Sequence, residues 1–133
     1  MASALYDPGR EGFLDGSIDW DTNDMRVMLV LSTYTFIAAH KFLSDLGAVD
    51  NGRSAALTSK TVASGVADAA DSSLVATAAS ASKALVVFQH TGADATARVI
   101  AYIDTATGLP FTPAAGQTVN LTFDNGANKI FKL

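Results

Sequence analysis

The chain contains no cysteine, which removes disulfides, thiolate metal sites and cysteine nucleophiles together. Histidine is almost missing, with only His40 and His90 present. No apolar run approaches the roughly 18 residues that a membrane span requires, so no membrane is expected as a partner. The cations Arg10, Arg26, Lys41, Arg53, Lys60, Lys83, Arg98, Lys129 and Lys132 stand singly and form no stripe, so direct nucleic-acid binding is not expected. The opening MASALYDPGREGF lacks the basic start and apolar stretch of a secretory signal. The expectation is a soluble protein that folds where it is made.

What remains is 133 residues with a net charge of −4 and 49% hydrophobic residues, many of them alanine. That length predicts a single domain spanning 1–133, large enough to bury most of its unfolded surface. The acids are nearly all Asp, whose short side chain bonds to nearby backbone and favours turns. Turn-rich β-structure follows. Met25 to Leu31 (MRVMLVL), Ala84 to Phe88 and Thr96 to Ile103 read as strands rich in apolar and β-branched residues. Thr118 to Phe123 alternates Val119, Leu121 and Phe123 on one face, and Lys129 to Leu133 is expected to return beside it. Asn125-Gly126 between them would supply the positive φ of a tight hairpin turn. Short strands are expected at Ala56 to Val62 and Leu74 to Thr77 in the Ala/Ser-rich middle, and a short helical turn within Phe36 to Leu46. A short N-terminal helix is expected over about 4–14, packing through Leu5, Phe13 and Leu14, with a later start if Asp7-Pro8 forms its cap and first turn. The fold class is all-β: a β-sandwich or jelly-roll-like barrel of about seven strands with that helix in front.

Few residues invite a chemical reading. Asp19-Trp20-Asp21-Thr22-Asn23-Asp24 opens like a calcium loop, yet Asp24 stands where the sixth position needs Gly and Val30 where the twelfth needs an acid. A structural turn is the preferred reading, and a surface calcium site of another type, on Asp19, Asp21 and Asn23, is the alternative. His40 lies in the apolar stretch FIAAHKFL and reads as a packed, hydrogen-bonded histidine. His90 follows a strand and reads as a turn residue. Neither has ligand or triad spacing, and no nucleophile elbow, phosphate loop or dinucleotide fingerprint accompanies them. Catalytic, cofactor-binding and metal residues are therefore expected to be none, with no cofactor and no enzymatic activity. Trp20 is expected to anchor the N-terminal segment against the sheet, the alternative being an exposed platform for sugar or protein. Asn120-Leu121-Thr122 matches a glycosylation acceptor but falls inside an expected strand.

LYDPGREGFLDGSIDWDTNDMRVMLV, HKFLSDL, TGADATARVIAYIDTATGLPFTP and NGANKIFKL together resemble a family of small tailed-bacteriophage structural proteins. The likeness rests on Leu5 to Leu14, Ile18 to Trp20 and the Asp124 to Gly126 turn, and the Ala/Ser-rich middle is poorly matched. The resemblance implies a virion component, first a capsid decoration or cement protein whose partner is the major capsid protein, assembled in the host cytoplasm. A head-tail or tail adaptor and a carbohydrate-binding tail tip are the alternatives. A dimer or trimer is expected from the residues themselves, because a terminal edge strand carrying Ile130 and Phe131 invites pairing unless covered.

Overall fold

A computed structural model describes residues 2–133. The chain is mainly β, in three antiparallel sheets with one short helix, so the all-β, sandwich-like expectation is met. Strands β1 (Ala4–Leu5), β2 (Met25–Leu31), β3 (Asp50–Arg53), β7 (Ser82–Gln89) and β8 (Val99–Ile103) form one sheet in the order β1-β8-β7-β2-β3. Strands β4 (Thr61–Ala63), β5 (Val66–Asp68) and β10 (Phe131–Lys132) form a second, ordered β10-β5-β4, and β6 (Ser72–Val75) pairs with β9 (Thr118–Leu121) in a third.

The central strands β2, β7 and β8 are buried on both faces, which explains why they read as largely apolar runs rather than as alternating ones. Register aligns Leu29, Leu85 and Ile103, and beside them Val27, Val87 and Ala101. Both rows face the two smaller sheets and pack on Leu121, Phe123, Ile130 and Phe131. The row Met28, Val86 and Tyr102 points the other way. There it is covered by residues 32–49, whose Tyr34, Leu43, Leu46 and Val49 are buried. This covering segment is a loop with a 3₁₀ turn at Leu43–Leu46. It is laced to the sheet by Leu31 N–H to Val49 O at 2.9 Å and Val99 N–H to Lys41 O at 3.0 Å.

Helix α1 spans Asp7–Asp15, with Pro8 in its first turn. The later of the two expected starts is thus observed, and Ala4–Leu5 is a strand paired with Ala101 and Tyr102. The helix lies almost backbone-to-backbone on β8: a Cβ on Gly9 would sit 2.8 Å from Val99 O. Only glycine permits that approach. Phe13 packs on Phe131 at 5.7 Å between ring centroids, whereas Leu14, expected to pack, is 88% exposed.

The terminal hairpin is not formed. β9 pairs with β6 and β10 with β5, so Lys129 to Leu133 does not return beside Thr118 to Phe123. Positive φ falls on Lys129 (43°) and not on Gly126. The turn instead closes through Gly126 N–H to the Asp124 carboxylate at 2.9 Å. Ile130 and Phe131 are 0% and 2% exposed in the single chain, so their side chains belong to the core, while β10 remains the edge strand of its sheet. In the middle, Ala56 to Lys60 is loop and the strands are β4, β5 and β6. Thr96 to Arg98 precede β8 rather than belonging to it.

Candidate functional site

The acidic turn folds in on itself. Asn23 Oδ1 accepts from Asp19 N–H at 2.7 Å and from Gln89 Nε2 at 2.8 Å, and Lys60 Nζ donates to Asn23 O. Asp24 accepts both arms of Arg26 at 3.0 and 2.9 Å, which holds its carboxyl below the usual range. Hydrogen bonding from Asp21 and Thr22 lowers Asp19, while Asp19 raises Asp21. With Asn23 turned inward, the calcium alternative loses one of its three oxygen donors. Among the described residues no group of three or more acidic or histidine side chains is placed to hold a metal ion.

Trp20 is 3% exposed. Its indole Nε1–H donates to Asp68 O at 3.0 Å, and Phe131 meets it edge-on at 5.2 Å. It therefore anchors the N-terminal segment to the β5–β10 pair, as its sequence context led one to expect, and offers no stacking platform. His40 is half-buried with Nδ1 3.0 Å from Tyr34 Oη, which lies 2.9 Å from Tyr6 Oη. Burial, then the bond to Tyr34, pushes the Tyr6 phenol far up, so this chain of hydroxyls is a neutral tie between the covering segment and the sheet. His90 donates its backbone N–H to Asp24 O at 2.8 Å, its ring beside Phe88. The structure does not bring either histidine together with the acidic turn as a ligand set.

Two arrangements escaped sequence reasoning. Asn51, fully buried, donates to Ser82 Oγ at 2.9 Å and accepts from Ala78 N–H at 2.9 Å, pinning β3 to the segment that leads into β7. Arg53 grips Asp94 with both terminal nitrogens at 2.8 and 2.9 Å, holds Asp50 through Nε at 2.7 Å, and lies over the Phe88 ring. Both link distant parts of the chain, so no local pattern announces them.

Beside β9 lies a groove of about 970 Å³. Its floor is Leu29 and Leu85 of the five-stranded sheet. One wall is the loop from Thr105 to Phe111, and the other is β9 and its continuation to Asn125. The groove exists because β9 and β10 do not pair, and the sequence pattern that predicted their hairpin therefore hid it. No protein-family model matches the chain, nor does any curated protein or solved structure.

Proposed function

We propose that this protein is a non-enzymatic component of a tailed-bacteriophage virion, a decoration or cement protein that docks on the outside of the head and bridges neighbouring major capsid proteins. The observation that carries the reading is the employment of the side chains best suited to chemistry. Trp20, His40, Asn23 and Asp24 each make hydrogen bonds that hold the fold. The likeness of Leu5 to Leu14, Ile18 to Trp20 and Asp124 to Gly126 to phage structural proteins is what favours a virion component. Gly9 of the first segment is required by the close contact of α1 with β8, which gives that part of the motif a packing role.

A cement protein must transmit load without deforming, and a sheet buried on both faces suits that task. Many of its charges are already paired, as in Arg53 with Asp94, Arg26 with Asp24 and Lys129 with Asp68. Docking would then rest on apolar and hydrogen-bonded contacts, and high salt would strip the protein poorly. Self-association as a dimer or trimer belongs to the same proposal, since several weak contacts acting together raise avidity.

The test compares heads purified with and without the protein for resistance to heat and to low ionic strength, with the protein located by labelling and counted per particle. Hundreds of copies on a more resistant head are expected. Equal resistance, or a few tens of copies confined to the tail, rejects the cement role in favour of the adaptor.

A further inference from the structure

We infer that the groove beside β9 is a receptor for an extended polypeptide strand, which it binds by adding that strand to the open edge of β9, with a basic side chain of the guest set against Asp124. The inference rests on reading the protein as a binding module and does not depend on the phage head being its station.

The edge is identified by ladder geometry. Ala76 N–H donates to Gln117 O at 2.9 Å, and the register continues through Leu74 with Val119 and Ser72 with Leu121. Antiparallel pairing alternates, so these odd-numbered residues of β9 direct their N–H and C=O groups to β6, and Asn120 directs its own to the opposite side. Phe123 N–H continues the odd-numbered series, reaching the Asp71 carboxylate at 2.9 Å. No strand among the described residues pairs with the Asn120 side of β9. Every residue from Val119 to Asn125 borders the groove. Successive side chains of a strand point to opposite faces, so a concavity touching Val119, Asn120 and Leu121 in turn runs along the edge of β9 and not over one face.

The cross-section suits the same guest. Half-buried Leu109, Phe111 and Val119 give the groove its accessible apolar side above Leu29 and Leu85, while Asn120 and Thr122 stand exposed on its rim. An extended strand presents alternate residues to floor and to solvent, which asks for apolar residues on one side and polar ones on the other. Asp124 is the single charged residue among those lining the groove, and it favours a cation at that end of the guest. Open edges are ordinarily blunted by charge or proline, and Thr118-Val119-Asn120-Leu121 carries neither.

The probe is a soluble octapeptide, Lys-Thr-Val-Thr-Val-Thr-Val-Lys, titrated into the full chain and followed by amide NMR. Shifts and slowed hydrogen exchange are expected at Asn120 and Thr122. The same peptide N-methylated at alternate residues, which cannot complete the ladder, should bind about tenfold more weakly or worse. Asn120→Pro removes the outward N–H at an edge position where proline is tolerated, and should change melting little while weakening the peptide by a similar factor. Asp124→Lys should reverse the preference for lysine-flanked over glutamate-flanked peptides. Equal binding of the N-methylated peptide, shifts confined elsewhere, or no shifts at millimolar peptide overturn the inference. Sedimentation in which Asn120→Pro converts a dimer to monomer would overturn it in favour of a second copy as occupant. Peptide binding on a protein absent from heads would leave this inference standing and sink the cement role; a labelled head with no peptide binding would do the reverse.

Discussion

The two layers of the sandwich are built on different terms. In the five-stranded sheet the central strands run for five to eight residues, and every residue of β8 is buried. In the opposing layer no strand exceeds four residues, the layer is divided into two sheets, and all of β4 is exposed. A backbone hydrogen bond survives longest where water cannot compete for it, so the first layer should set the global stability and the second should open locally. The divided layer is also where the groove lies. Rigidity and an accessible edge are thus kept in separate halves of one small domain.

The sharpest way to break this contrast is to delete Ile130 to Leu133. Ile130 and Phe131 are buried against the five-stranded sheet, and at roughly 1.5–3 kcal/mol each their loss should consume a large share of the total stability. Urea unfolding followed by circular dichroism would show it. A truncated chain melting within a couple of degrees of the parent would mean that the divided layer is not part of the cooperative unit. Phe88→Ala, in the first layer at 0% exposure, should cost about 3–5 kcal/mol and lower the urea midpoint with little change in slope. Asn51→Ala tests the seam, because it leaves Ala78 N–H and Ser82 Oγ without their partner. About 1–3 kcal/mol is expected, with faster hydrogen exchange in residues 77–82 before the central strands respond.

Acid should act more gently. Hydrogen bonding from Arg53 lowers Asp94, and the Phe42 and Lys41 backbone N–H groups lower Asp45. A carboxyl depressed in the folded state contributes stability that is complete above its unfolded value, about 3.9, and is lost as pH falls through the folded value. The melting temperature should therefore be insensitive to these groups above about pH 5 and decline below about pH 4. Arg53→Gln should flatten that decline. The smallest effect expected is from Gly126→Ala, within about 0.5–1 kcal/mol, because its φ is not positive and the nearest obstacle to a Cβ is the flexible Asp124 carboxylate. A loss of several kcal/mol at Gly126 would restore the hairpin turn that the structure lacks.

The same contrast decided how much was legible. Met25 to Leu31 matches β2 residue for residue, and β7 and β8 were visible as apolar runs, because burial on both faces writes itself into every position of a strand. The strands of the second layer are short and half-exposed, so Thr61–Ala63 and Val66–Asp68 carry too few apolar residues to stand out from loop. Asn125-Gly126 misled because turn residues report local conformation and say nothing of which strand receives the chain afterwards. The anchoring role of Trp20 was legible in the sequence, whereas the covering role of Tyr34 was not, since no periodic pattern marks the loop that carries it. Nor was the groove, since it is defined by a pairing that does not occur.

The order of the main sheet also places a demand on synthesis. β2 bonds to β7 along its full length, yet β7 is not complete until Gln89. At about 5–20 residues per second, a nascent β2 waits about 3–12 s for its partner. During that interval MRVMLVL is an apolar strand with its β7 edge open even after β3 has been made, the kind of segment that recruits other chains. Asp24 and Arg26, which hydrogen-bond to each other in the finished fold, flank and interrupt that segment with opposite charges. Charges so placed are those expected of gatekeepers, which would keep the future centre of the sheet in solution until the rest of it arrives.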